Sequence, residues 1–199
     1  MIKCIMADLI QFKLFQQFST IDHGISTRHT EHRQPYHVKA EQVHSNTVTV
    51  VTNAAVNILP QTDGLITRQP GIRLRIGVSD CVPILVYNPK RGFGGVLHAG
   101  FLGTIKQILP QALIKLGARD SYVGIGPAIG PCCYNDIDIQ VENVHQAKRC
   151  GVPLGHIEML RACTQCNNDK FYSHRAGDST NFGIYFEIFP PPLARSKKL

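Results

Sequence analysis

The stretches Gly77-Val-Ser-Asp-Cys-Val-Pro-Ile-Leu-Val86 and Gly94-Gly-Val-Leu-His-Ala-Gly-Phe-Leu-Gly103 carry the strongest structural signal in this chain. Each contains a short apolar run, over Ile84–Tyr87 and Gly94–His98, of the kind typical of a buried β-strand. The residues between them, Asn88-Pro-Lys-Arg-Gly92, have the composition of a turn. The sequence therefore predicts two central strands joined by this turn.

The rest of the chain predicts more strands than helices. Residues 103–116 place apolar side chains on one helical face, where Pro110 should produce a kink, and residues 136–149 predict a second helix. Residues 22–40 are polar and predict a loop. Many strands and few helices in mixed order predict an α+β domain with mixed β-sheets in a sandwich-like core flanked by helices. Further strands are predicted within residues 1–20 and at Thr47–Val51, Ile72–Val78, Tyr122–Ile125 and Phe182–Phe189.

Length and composition predict one globular domain over residues 1–199, with a short basic tail from about residue 190. No apolar run reaches the roughly 20 residues that span a bilayer, and the start of the chain lacks a signal-peptide pattern. We therefore expect a cytoplasmic monomer or weak oligomer without a membrane partner. The net charge is +7, but the basic residues are scattered and form no stripe with aromatic residues, so no nucleic-acid partner is expected.

The seven cysteines are an odd number in a chain without a secretion signal, which favours reduced thiols. The segment Cys163-Thr-Gln-Cys166 has the spacing of a zinc half-site or a redox motif. Cys150 and His174 are candidate partners, although no second matched pair is evident in the sequence. The adjacent Cys132-Cys133 is interpreted as part of a loop.

Three distant residues form a candidate metal site. His44, Cys81 and His98 each lie at the edge of a predicted strand, and two histidines with one cysteine leave the fourth position of a zinc ion open. That is the ligand count of a catalytic site. Taken singly, each residue is better explained structurally, with Cys81 as a small buried apolar residue and each histidine as an ordinary core or surface residue.

Several segments occur in the order typical of one family, and through them the chain resembles the YfiH family. Members of this family are called laccase-domain proteins, polyphenol oxidases or purine nucleoside phosphorylases. The matching segments are His23-Gly-Ile-Ser-Thr-Arg28, Gln42-Val-His44, Asp63-Gly-Leu-Ile-Thr67, Ser79-Asp-Cys-Val-Pro83, His98-Ala-Gly-Phe-Leu-Gly103, Gly126-Pro-Ala-Ile-Gly130 and the later block from Cys163-Thr to Phe171-Tyr-Ser-His-Arg175.

The resemblance implies a zinc ion held by His44, Cys81 and His98 in a compact sandwich-like domain. It also implies phosphorolysis of adenosine, inosine and methylthioadenosine, together with deamination of adenosine, so that the partners are a purine nucleoside and phosphate. Substrate contacts are implied for Ser26, Arg28, Gly126, Pro127 and Arg175.

The chain departs from the family pattern at three arginines. Leu102, Ala176 and Phe182 stand where family members usually carry arginine, and the stretch between Arg28 and Gln42 is shorter than usual. Because guanidinium groups bind phosphate through paired hydrogen bonds, their loss should weaken phosphorolysis more than metal binding.

The mechanism is left open by the sequence. Zinc lowers the pKa of water, which would suit deamination at the purine C6, and Asp63 or Asp80 would then serve as the acid/base. In the phosphorolysis alternative, zinc could instead orient the phosphate. A cysteine hydrolase with Cys81 as nucleophile and His98 as base is a second hypothesis, and a divergent, weakly active purine-binding protein is a third. A multicopper oxidase is rejected, because the nine histidines include no His-x-His pair.

Overall fold

The computed structural model describes residues 9–30 and 36–190, which form two mixed β-sheets and a layer of helices. The expected basic tail falls almost wholly outside these residues. The first sheet has the order β1-β11-β6-β2-β4 and the second the order β10-β9-β7-β8-β5-β3. The strands are β1 Ile21–Ile25, β2 Val38–Ala40, β3 Val48–Val51, β4 Ile58–Leu59, β5 Gly64–Thr67, β6 Leu74–Val78, β7 Val82–Asn88, β8 Phe93–Ala99, β9 Tyr122–Ile125, β10 Ile157–Met159 and β11 Phe182–Ile188.

Three α-helices cover the outer face of the second sheet: α1 Phe101–Ile105, α2 Ile108–Leu116 and α3 Ile139–Arg149. The two sheets pack against each other through one apolar cluster, and the second sheet packs against the helices through another. The α+β class and the sandwich-like core are thereby confirmed.

The central strands β7 and β8 pair antiparallel, and every residue in both is buried. Side chains alternate across a strand, so Leu85 and Val96 face the first sheet whereas Ile84 and Leu97 face the helices. Burial on both faces explains why these strands are nearly continuous apolar runs. The prediction of two central strands is confirmed.

The predicted loop over residues 22–40 was wrong in part, because it contains most of β1 and all of β2. β1 pairs antiparallel with β11, and β2 pairs with β6, so partners distant in sequence stabilise strands of polar composition. In the described part of residues 1–20, an opening strand is replaced by a single bridge at Ile10 and a 3₁₀ turn at Lys13–Phe15.

The predicted helix over residues 103–116 is two helices, and Pro110 does not cause the break. The chain turns at Gln107, whose φ is 63°, and Pro110 lies in the first turn of α2. A proline is tolerated there because the amide N–H groups of a first helical turn have no partner within the helix. Among the residues described, no helix is both long and apolar enough to cross a membrane.

Candidate active site

His44, Cys81 and His98 meet where β8 ends beside the connection from β6 to β7. The Cys81 Sγ lies 3.8 Å from the His44 Nε2, and the ligand atoms of all three residues lie within 4.8 Å of one another. The two imidazole rings are 4.8 Å apart between centroids. The structure thus brings together three residues that are 37 and 17 positions apart in sequence.

Two backbone features allow this close approach. His44 has a φ of 58°, in the left-handed region that a side chain other than glycine seldom adopts, so surrounding contacts must hold it there. Gly100 follows β8, and a Cβ at this position would lie 2.7 Å from the Cys81 Sγ and 3.1 Å from the His44 ring. Only glycine therefore fits between the thiol and the imidazole.

Asp63 lies behind the two histidines and is fully buried. Its carboxylate is 2.8 Å from the His98 Nδ1 and accepts hydrogen bonds from the backbone N–H groups of His44, at 3.0 Å, and Ser45, at 2.8 Å. The bond to Nδ1 leaves the His98 Nε2 to face the sulfur. Asp63 therefore orients the His98 ring directly and the His44 ring through the His44 backbone. Carboxylates that hydrogen-bond metal-binding histidines have the same orienting role.

These contacts shift the pKa values of the site. Burial raises the pKa of the Cys81 thiol, but the neighbouring His44 and His98 outweigh it and lower that pKa to about 7. For His98, burial lowers the pKa, whereas Asp63 and Cys81 raise it to about 9. A thiol with lowered pKa close to two imidazoles is a good metal ligand or nucleophile.

The donor set fits zinc. One thiolate and two imidazoles are zinc ligands with bond lengths of about 2.3 Å and 2.0 Å, which place sulfur and nitrogen about 3.6 Å apart in a tetrahedral site. The observed 3.8 Å between Cys81 and His44 is close to that separation. Three protein ligands would leave one position for substrate or solvent.

The three residues form part of the lining of a cavity of about 640 Å³, a volume that is typical of a small-molecule site. Phe101 and Tyr134 border it, with their ring centroids 6.1 Å apart. The Arg175 guanidinium lies 5.1 Å from the centre of the Tyr134 ring. The buried hydroxyl of Ser79 also borders the cavity and has no hydrogen-bond partner among the residues described.

Asp80 and Cys81 both border the cavity, but their side chains contact different partners. The Asp80 carboxylate accepts hydrogen bonds from the Thr164 hydroxyl, at 2.6 Å, and from the Arg175 backbone N–H, at 2.8 Å. Its φ is 78°. Asp80 borders the cavity, but these two bonds tie it to the loop that carries Arg175.

Within the described part of the chain, Arg175 is the one predicted substrate contact that borders the cavity. Ser26 bonds the backbone of Gly183. Arg28 forms an ion pair with Asp178, which does border the cavity. The cavity gives no support to direct contacts by Ser26 and Arg28, nor by two buried residues of the loop after β9, Gly126 and Pro127.

The positions of the missing arginines differ in setting. Phe182 is buried and packs against Phe171 in the core, so its side chain does not border the cavity. Leu102 is half exposed on α1, and Ala176 is exposed next to Arg175.

The partners suggested for Cys163 and Cys166 were wrong. Their thiols lie with those of Cys132 and Cys133, all within 4.8 Å of one another, whereas His174 borders the cavity and Cys150 caps α3. The second pair was missed because two adjacent cysteines do not match the usual two-residue spacing.

Sequence reasoning also gave no role to Ser79, Phe101 and Tyr134. The first two lie inside the matched segments around Cys81 and His98, where a signal was available. The sequence gives no such signal for Tyr134, because its position at the cavity depends on how the loop after β9 folds.

We expect the replacement Asp63→Asn to remove an acid-sensitive part of the stability of metal-free protein. Burial raises the pKa of Asp63, but His98 and Ser45 lower it from 3.8 to about 2. A lowered pKa stabilises the fold above pH 4, and this stabilisation, about 2 kcal/mol, is lost as the pH falls through 2. The difference in unfolding free energy between wild type and variant, measured with urea, should shrink by that amount from pH 5 to pH 2.

The control for this measurement is Asp120→Asn, which changes an aspartate on the surface that pairs with Lys90. It should alter the unfolding free energy little at any pH. A difference for Asp63→Asn that stays constant from pH 5 to pH 2 would contradict the proposed ion pair with His98.

Sequence comparisons match most of the chain. A family model described as "Multi-copper polyphenol oxidoreductase laccase" matches residues 25–138 and 135–188. The "Purine nucleoside phosphorylase YlmD" of Geobacillus stearothermophilus is 33% identical over 186 residues, which covers 72% of this chain and 68% of the relative. A "Purine nucleoside phosphorylase" of Bacteroides thetaiotaomicron is 31% identical over 153 residues and is covered over 57% of its length, so the chain spans little more than half of it.

Solved structures share the fold. The crystal structure of YlmD from Geobacillus stearothermophilus superimposes with a TM-score of 0.77 at 25% identity, covering 90% of this chain and 94% of that one. The hypothetical protein YfiH of Bacillus licheniformis gives a TM-score of 0.78 at 22% identity, over 90% and 96% of the two chains. The second likeness shows the fold alone.

Proposed function

Because the chain belongs to the multi-copper polyphenol oxidoreductase laccase family, known also as the YfiH family, we propose that it is an enzyme that processes purine nucleosides. Its proposed reaction is phosphorolysis of adenosine, inosine and methylthioadenosine. Adenosine deamination is proposed as a second activity. The observation that carries the proposal is the convergence of His44, Cys81 and His98 at a cavity large enough for a nucleoside.

The proposed cofactor is zinc, held by His44, Cys81 and His98. When bound, it would supply a Lewis acid that polarises an oxygen atom or lowers the pKa of a water molecule. Copper is not the proposed ion, because the chain has no His-x-His pair of the kind that multicopper oxidases use.

Arg175 is the proposed binding residue for phosphate. The two acidic groups near it are already engaged, since Asp80 bonds Thr164 and Asp178 pairs with Arg28. The Arg175 guanidinium therefore remains available to bind an anion in the cavity. In phosphorolysis, a phosphate oxygen forms a bond to the ribose C1′, the C1′–N9 bond breaks, and the leaving purine takes up a proton.

The purine base is proposed to lie against Phe101 and Tyr134. Aromatic rings offer stacking surfaces to any base, which suits an enzyme that accepts more than one purine. The unpartnered hydroxyl of Ser79 could donate to the base or the ribose. These contacts would orient the substrate over the three metal-binding side chains.

The two aspartates have different proposed roles. Asp63 is saturated by hydrogen bonds and fully buried, so it acts as a positioning residue for His98 and His44 and not as a proton-transfer group. Asp80 borders the cavity and remains the candidate acid/base for deamination.

A cysteine hydrolase is the second candidate function. The lowered pKa of Cys81 and its 3.8 Å contact with His44 favour it. Rapid inactivation by iodoacetamide in metal-free protein, together with turnover that does not need metal, would support this alternative over the zinc enzyme.

The test of the proposed function is incubation of the purified protein with adenosine, with and without phosphate, followed by chromatography of the products. Adenine and ribose 1-phosphate should form only when phosphate is present. Inosine that forms without phosphate would show deamination. Because the arginines at positions 102 and 176 are missing, we expect a high KM for phosphate. Absence of any product would contradict the proposal.

The site does not bear on three further predictions, which stay predictions: a cytoplasmic location, a single domain over residues 1–199, and a monomer or weak oligomer.

A further inference from the structure

A second group of metal-binding side chains lies apart from His44, Cys81 and His98. The thiols of Cys132, Cys133, Cys163 and Cys166 lie within 4.8 Å of one another, and we call them the four-cysteine cluster. The Cys166 Sγ is 3.5 Å from the Sγ atoms of both Cys132 and Cys133. These residues come from two segments that are about thirty positions apart in sequence.

Backbone contacts hold the two segments together. Ala128 and Cys163 form a parallel bridge, in which the Thr164 N–H donates to the Ala128 carbonyl at 3.0 Å. The next residues fold into the 3₁₀ turn Pro131–Cys133 on one side and the turn that contains Cys166 on the other. The Ala128–Cys163 bridge and the two turns therefore hold the four thiols close together.

Gly130 leaves the space that the sulfur atoms occupy. A Cβ at this position would lie 3.1 Å from the Cys163 Cβ and 3.4 Å from the Cys132 Sγ. Its φ is −89°, so no unusual conformation calls for glycine here. The reason for glycine is the close approach of the backbone to the thiols.

The spacing of the sulfur atoms suits a tetrahedral ion. Zinc–sulfur bonds of about 2.3 Å place the sulfur atoms of a Cys₄ site about 3.8 Å apart, and four protein ligands close the site.

We propose that the four-cysteine cluster binds a structural zinc ion. Soft thiolate ligands in a tetrahedral arrangement select zinc over hard cations, and the thiols release their protons to solvent when the ion binds. A disulfide is the alternative for such close thiols. It would join only two of the four, and the 3.5 Å separations are those of unbridged sulfur atoms.

The ion would fix one wall of the cavity. Tyr134, which borders the cavity, follows Cys133 directly, and Thr164 follows Cys163 and donates a hydrogen bond to Asp80. A single ion would thus join the loop that carries Tyr134 to the loop that carries Thr164, the hydrogen-bond donor to Asp80. This role does not depend on the proposed nucleoside chemistry.

The test is the zinc content of purified protein, measured by elemental analysis per folded chain. Wild type should hold two zinc ions, and Cys163→Ser and Cys166→Ser should each hold one. The control is Cys150→Ser, a cysteine outside the cluster, which should keep both ions. His98→Ala should lose the other ion and keep this one, so that the two sites fail separately.

X-ray absorption at the zinc edge keeps the proposal falsifiable if the serine variants fail to fold. The ion that remains in His98→Ala should show four sulfur neighbours at about 2.3 Å and no nitrogen neighbour. Three results would each overturn the proposal. The folded His98→Ala protein could contain no zinc, or the thiols could bind iron in place of zinc. The third result is a protein mass two hydrogens lower, with a disulfide mapped to the four-cysteine cluster.

Discussion

Replacing His98 with alanine should lower kcat/KM for adenosine phosphorolysis at least about a hundredfold, since loss of even an outer partner of a metal ligand costs 10- to 100-fold. His98 is buried, and its Nδ1 is 2.8 Å from the Asp63 carboxylate while its other nitrogen faces the Cys81 sulfur. Alanine removes one of three proposed zinc ligands and leaves the buried Asp63 carboxylate without its imidazole partner. Steady-state kinetics and zinc content measured on the same preparation check this expectation.

The matched control is His145→Ala, which removes an exposed histidine of α3. It should leave kcat/KM and zinc content unchanged. Circular dichroism establishes whether each variant is folded. Unchanged turnover in folded His98→Ala protein would remove this residue, and the ion with it, from the mechanism.

Replacing Gly95 with alanine should destabilise the fold by about 3 kcal/mol or more, beyond the usual cost of an overpacked side chain. Gly95 lies in β8 opposite Ile66 of β5, and a Cβ there would lie 1.9 Å from the Leu65 carbonyl oxygen. Because that neighbour is backbone, no side-chain rotation relieves the clash. The two strands would have to separate, and β8 carries His98.

Urea unfolding at neutral pH measures this effect, with Gly155→Ala as the control. An added Cβ at Gly155 has no atom within 4 Å, so the control should unfold close to wild type. Equal unfolding midpoints for the two variants would contradict the close pairing of β5 and β8.

The sequence was sufficient for most central strands and for naming the three residues His44, Cys81 and His98 that the structure brings together. The apolar runs in β7 and β8 are long enough to identify, because both faces of these strands are buried. Cys81 and His98 come directly before one run and at the end of the other, so their place at the sheet edge followed from the pattern.

Other features could not be predicted, because they depend on contacts between distant segments. The left-handed backbone of His44 is fixed by Asp63, nineteen residues further on. The four-cysteine cluster needs the bridge between Ala128 and Cys163, which no local spacing indicates. β1 becomes a strand because it pairs with β11 at the far end of the chain.

The most direct test of the zinc site is anomalous diffraction at the zinc edge from crystals of the purified protein. We expect a peak bonded to the Cys81 Sγ at about 2.3 Å and to one nitrogen each of His44 and His98 at about 2.0 Å. A structure in which zinc is bound elsewhere and these three side chains point away from one another would contradict the proposed centre.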